Sequence, residues 1–162
     1  MTVFTATERR SHLLSAVSHG GAYGVKNLTA SIELAAQATF PHTITFGYVP
    51  SNARLLGSSR LYWDDTIATS TTTFDLGLGA VDGNLAQSDD PDCLAVDLDI
   101  TTASTTGTLA ITAFADYGLP AWDFVASEAS DPGGALRVYG TVNDALTSGP
   151  GTITLELNYV VD

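Results

Sequence analysis

Basic side chains are scarce in this sequence: six Lys and Arg stand against eighteen Asp and Glu, a net charge of -12. Phosphate backbones are held by clustered Lys and Arg, so nucleic acid is not expected as a partner. The single cysteine, Cys93, has no second thiol to pair with, so no intramolecular disulfide is expected. No apolar run approaches the ~18 residues of a membrane span, and no membrane association is expected. The apolar stretch from His12 to Val17 is too short for an export-signal core, so Sec export is not expected. With one Lys, one Met and two Gln, the chain also lacks the residues that usually build surface helices.

What the sequence has instead is 22 Thr, 21 Ala and 15 Gly in 162 residues, with 44% hydrophobic content. Thr suits a pleated, half-buried surface, and this hydrophobic content is too high for a disordered tail. The length supports one domain.

Residues 1–25 show no sustained period. Gly20, Gly21 and Gly24 make regular structure costly there, so an extended, flexible N-terminal arm is expected. From Leu28 a period of two sets in: Leu28, Ala30, Ile32, Leu34, Ala36, Ala38 and Phe40 alternate with mostly polar neighbours, as in a strand with one wet face. Further strands are expected at Thr43–Val49, with Ile44, Phe46 and Tyr48 on one face, and at Arg54–Trp63, interrupted at Gly57-Ser58-Ser59. Others follow at Thr71–Leu78, at Leu94–Ile100 with Leu94, Val96, Leu98 and Ile100 inward, at Leu109–Ala115, at Leu136–Asn143 and at Thr152–Val160. Residues 81–91 and 118–129 have room for a helical turn each. About eight short strands without crossover helices define an all-β chain: a single antiparallel β-sandwich, jelly-roll-like, over residues 26–162.

Candidate chemistry is sparse. His12, His19 and His42 match no paired-ligand spacing, and the expectation is that they are solvated or hydrogen-bonded. Cys93 follows Asp92, and a neighbouring acid raises a thiol pKa, the reverse of what a nucleophile needs. Neither GxSxG nor a phosphate-binding glycine loop occurs, and Gly77 and Gly79 alternate with apolar residues as packing positions. The acidic run Asp89, Asp90 and Asp92 is the best candidate for a calcium loop, yet it lacks EF-hand spacing. No metal, cofactor or catalytic residue is therefore expected. Charge is uneven: residues 1–63 hold five of the six cations, Arg9, Arg10, Lys26, Arg54 and Arg60, against only Glu8 and Glu33. One reading is solvated acidic loops; the other is a two-faced molecule whose basic part docks on an acidic partner.

Three segments carry a resemblance. ITFGYVPSNARLLGSSRLYW over residues 44–63, the Thr-rich TTTFDLGLGA, and the terminal TITLELNYVVD together resemble the small head decoration (cement) proteins of tailed bacteriophages. The resemblance covers about residues 26–162. It implies a non-enzymatic virion component on the outer capsid surface, partnered by the major capsid protein and by itself as a homotrimer, and bridging neighbouring capsid subunits. In that setting Arg9, Arg10, Lys26, Arg54 and Arg60 are the candidate contacts with the capsid or an adjacent copy. Two alternatives remain open: a tail or connector component, and a lectin-like or fibre domain stacking sugars on Trp63, Trp122, Tyr62, Tyr117 and Tyr139.

Overall fold

The structure, a computed structural model, describes residues 2–5, 7–8, 24–34, 42–63, 72–80, 88–125, 129–143 and 151–161. Its strands are β1 (Thr2–Thr5), β2 (Thr7–Glu8), β3 (Lys26–Leu34), β4 (His42–Pro50), β5 (Arg54–Leu55), β6 (Arg60–Trp63), β7 (Thr73–Gly79), β8 (Asp90–Asp99), β9 (Ser104–Leu109), β10 (Ala135–Val142) and β11 (Gly151–Val160). Two 3-10 turns, Phe114–Asp116 and Ala121–Phe124, are the helical elements among the described residues. The second falls where a helical turn is expected.

Two sheets result. The first runs β1-β4-β10-β7-β8; the second runs β2-β3-β11-β6-β9, with β5 also on β11. Apart from the parallel β1–β4 pair, all strand pairings among the described residues are antiparallel. The eight principal strands pair from the outside of the chain inwards: β3 with β11, β4 with β10, β6 with β9, and β7 with β8. The chain thus behaves as one long antiparallel ribbon, bent at β7–β8 and rolled so that its paired segments fall in alternate sheets. This is the expected jelly-roll-like β-sandwich.

The core lies between the sheets. Alternation puts Leu28, Ala30, Ile32 and Leu34 of β3 inward beside Ile153, Leu155 and Leu157 of β11, all buried. They face Ile44, Phe46 and Val49 of β4, Leu136, Val138 and Val142 of β10, and Phe74, Leu76 and Leu78 of β7. Phe46 and Phe74 meet edge to face, with centroids 6.3 Å apart and planes at 75°. Gly140 makes room for this pair: a Cβ there would lie 2.0 Å from Phe74 Cζ. At one end the core is closed by residues 118–122 running along residues 51–55. The hydrogen bonds Gly118 N to Leu55 O, Leu55 N to Leu119 O, Ala121 N to Ala53 O and Trp122 N to Ser51 O stitch the two segments together.

Several sequence expectations change, mostly at bulges. β4 carries one extra residue opposite β10, because Val138 pairs with Gly47 and Tyr139 with Thr45. The added residue reverses the parity beyond it, so Val49 turns inward and Tyr48, expected beside Ile44 and Phe46, is 51% exposed. On β8, register shifts opposite β7 bring Ala95 inward and throw Val96 out, with Asp97 at φ 52°. The strand expected at Leu109–Ala115 lies instead at Ser104–Leu109, where Gly107 at φ 79° bends the backbone around the Tyr62 ring. Arg54–Trp63 divides into β5 and β6 at the Gly57-Ser58 turn.

Residues 2–5 and 7–8, assigned from sequence to the arm, are extended and paired at the edges of both sheets. Residues 9–23, and the expected strand continuation over residues 35–40, lie outside the described residues.

Candidate functional site

Three of the five cations singled out in sequence, Lys26, Arg54 and Arg60, lie on strands that pair with the second half of β11, Lys26 on the face of Leu28 and Leu157 and the two arginines on the opposite face; Arg9 and Arg10 lie outside the described residues. The organiser is β11. Its residue Tyr159 pairs with Lys26, Val160 with Arg54, and Glu156 with Arg60. Lys26 and Arg54 are exposed, and Arg60 is half-buried. The Arg54 guanidinium donates to Gly118 O at 3.0 Å, and Arg60 Nη1 donates to the carbonyls of Gly57 at 3.1 Å and Ser59 at 3.0 Å. These bonds fix where the two positive charges sit along this end of the second sheet.

The solvent face beside them is a polar ladder. Tyr62 OH donates to Glu156 Oε2 at 3.2 Å, and Asn27 Nδ2 donates to Asn158 Oδ1 at 2.8 Å and Glu156 Oε1 at 3.4 Å. Thr29 Oγ1 donates to Asn27 Oδ1, and Ser31 and Thr154 hydroxyls bond at 2.8 Å. Burial, then the adjacent Glu156 carboxylate, raises the Tyr62 pKa. The phenol therefore stays protonated and keeps donating.

The first sheet has the opposite character. Asp75 on β7 and Asp90, Asp92, Asp97 and Asp99 on β8 line its open side, with Arg137 of β10 as the cation of its described strands. Arg137 was not singled out from sequence. Its guanidinium carbon lies 4.5 Å from the Tyr139 ring centroid, and its Nη2 pairs with Asp89 Oδ1 at 3.3 Å. The same Asp89 oxygen accepts from Ala80 N at 2.9 Å. Gly77 and Gly79 permit this arrangement: a Cβ at Gly77 would meet Asp90 O at 2.1 Å, and one at Gly79 would meet Asp89 Oδ1 at 2.1 Å. The signal available in sequence was the spacing of two in both Arg137/Tyr139 and Gly77/Gly79, which places each pair on one strand face.

The acidic run does not converge on one point. Asp89 turns to Arg137, while Asp92 shares a hydrogen bond with Asp90, the main reason its carboxyl is held above its ordinary pKa. Among the described residues no group of three His, Cys, Asp or Glu is placed to hold a metal ion. Burial pushes the half-buried Cys93 thiol up to about 12, with Asp90 and Asp92 adding to the shift. It is a protonated thiol at neutral pH. His42, at the start of β4, is buried, which lowers its pKa.

The aromatic residues considered for sugar stacking are engaged elsewhere. Trp63 and Tyr139 are buried, and Trp63 Nε1 donates to Thr102 O at 2.6 Å. Tyr117 covers Gly57 and donates to Ile111 O at 3.2 Å; Trp122 packs against the core; Tyr62 lies on Gly107.

Fold and surface thus define a small jelly-roll-like β-sandwich, acidic at the open side of one sheet and carrying Lys26, Arg54 and Arg60, with Glu156 opposite Arg60, at one end of the other. No protein-family model and no curated protein matches the chain. Two solved structures share its fold. A chain of the cyanophage Pam1 capsid asymmetric unit matches with a TM-score of 0.54 and 20% identity, over 92% of this chain and 93% of that one. A chain of the capsid of Ralstonia phage GP4 matches with a TM-score of 0.53 and 21% identity, over 99% of each chain.

Proposed function

We propose that this protein is a non-enzymatic structural component of a tailed-phage virion, a head decoration protein on the outer surface of the shell. The observation that carries the reading is the extent of the fold similarity: chains of two phage capsids match it from end to end, with no large unmatched segment on either side. The decoration role, rather than that of the shell-forming subunit, rests on the sequence resemblance and on size. A 162-residue sandwich suits a cap laid over an existing shell. Its partners are the major capsid protein and further copies of itself as a homotrimer, which bridges neighbouring capsid subunits.

The basic end of the second sheet, with Lys26, Arg54 and Arg60 and with Arg9 and Arg10 from the N-terminal segment, is the proposed capsid-facing contact. The acidic side of the first sheet faces solvent or a neighbouring cation. Opposed charge patches of this kind orient a partner and speed encounter more than they add affinity. Co-sedimentation with phage heads lacking the protein tests the reading. Saturable, salt-sensitive binding at a fixed number of copies per head supports it, and protein remaining in the supernatant at all salt concentrations refutes it.

A further inference from the structure

The N-terminal strands have an unusual placement. β1 joins the first sheet beside β4, as its parallel pair, and one residue later β2 joins the second sheet beside β3. A single short segment therefore closes an edge of both sheets. The edges it covers are demanding ones: β4 is buried on both faces from His42 to Gly47, and an uncovered edge strand offers unpaired N–H and C=O groups to any passing chain.

The tether is far longer than this clip requires. Glu8 pairs with Ala30, only four residues along β3 from its first residue, Lys26, and β2 runs towards that end. The gap along the strand is ~13 Å at about 3.3 Å per residue. Residues 9–25, the seventeen between Glu8 and Lys26, span up to ~56 Å when extended. A terminal edge strand on so long a tether makes the same backbone bonds whether it closes its own sandwich or another, which is the condition for strand exchange between identical chains.

We propose that Thr2–Glu8 is an exchanged strand pair: in the assembled protein it closes the β4 and β3 edges of a second copy of this chain. The partner surface is the joint edge formed by Thr43–Thr45 of β4 and Ala30–Ser31 of β3, and the occupant is the same heptad from the neighbour. Main-chain pairing supplies the contact, as in recognition by β-augmentation. The inference concerns the fold and does not depend on the virion reading.

The register gives a direct test. Thr7 and Ser31 are Cα partners across β2 and β3, and Ser31 is exposed. In a Cys93→Ser background, chains carrying Thr7→Cys alone and Ser31→Cys alone are refolded together and mildly oxidised. Exchange makes the disulfide between the two kinds of chain dominate over those between like chains, which chance collision of exposed thiols forms equally well. The doubly substituted chain should give a reducible covalent ladder on non-reducing gels. A doubly substituted chain that stays monomeric with its thiols consumed, or one whose thiols remain free, overturns the proposal. Circular dichroism before oxidation confirms folding, and Val3→Cys with Thr43→Cys reports the same exchange from the other sheet if the first pair does not fold.

Discussion

Gly140→Ala puts the packing of the core to a quantitative test. Gly140 lies on β10 opposite Leu76 and Ile44, and an added Cβ would sit 2.0, 2.6 and 3.0 Å from three carbons of the Phe74 ring. Carbon atoms pack at about 3.5–4.0 Å, so the ring must retreat by roughly 1.5 Å. It has nowhere to go, because Phe74 is fully buried and its edge contact with Phe46 fills the adjacent space. Overpacking of this kind costs about 3 kcal/mol, the upper part of the usual range. In a chain of this length that lowers Tm by about 6–12 °C.

Removing the ring should relieve the clash. Phe74→Leu alone is expected to cost about 1–2 kcal/mol through lost contact and a small cavity. In the double variant the new methyl occupies part of the vacated space, so the combined cost should fall short of the sum by about 1–2 kcal/mol. Urea unfolding of the four proteins at constant m-value measures this coupling. Additivity within about 0.5 kcal/mol, or a Gly140→Ala variant as stable as the parent, would refute the packing described here. At an unconfined position Gly→Ala should instead stabilise, by ~0.4–1 kcal/mol, through the unfolded chain.

Three further outcomes follow from the site. The Cys93 thiol is pushed up to about 12 when folded, whereas an unfolded thiol titrates near ~8.5. The raised folded pKa gives stability that is whole below the unfolded value and is lost as pH rises towards 12. Between pH 9 and 10.5 the parent should therefore lose about 2 kcal/mol more than Cys93→Ala, read from urea midpoints; parallel pH profiles would contradict the burial of the thiol. Arg137→Lys keeps the charge beside Asp89 but loses the guanidinium held over the Tyr139 ring, and should cost about 1 kcal/mol in the same assay. Lys26→Glu with Arg54→Glu should leave the circular dichroism spectrum unchanged while weakening head binding severalfold and flattening its salt dependence. Unchanged occupancy would remove the basic end of the second sheet from the proposed contact.

Local patterning made much of this fold legible. The alternation of Leu28, Ala30, Ile32 and Leu34, and of Ile153, Leu155 and Leu157, is read correctly because these strands pair without a bulge. Legibility stops where residues are inserted. A bulge reverses every later side chain, so Tyr48 and Val96 are assigned to the wrong face although their strands are placed correctly. Ser104–Leu109 was hidden for a related reason. A Ser-Thr-Thr-Gly run reads as a turn, yet its pairing with β6 is imposed by the rest of the sheet. The placement of Lys26, Arg54 and Arg60 at one end of the second sheet was visible only as a composition bias, because each is brought there by pairing with a strand about a hundred residues away. The Arg137–Asp89 pair likewise depends on the long bulge that lays Asp90 and Pro91 over Gly77.

The proposed attachment to a capsid shell is open to direct test. Size-exclusion chromatography with light scattering, run with and without purified phage heads lacking the protein, tests it most directly. The expected result is a trimer on its own that moves quantitatively into the head peak. A monomer that elutes unchanged in the presence of heads would contradict it.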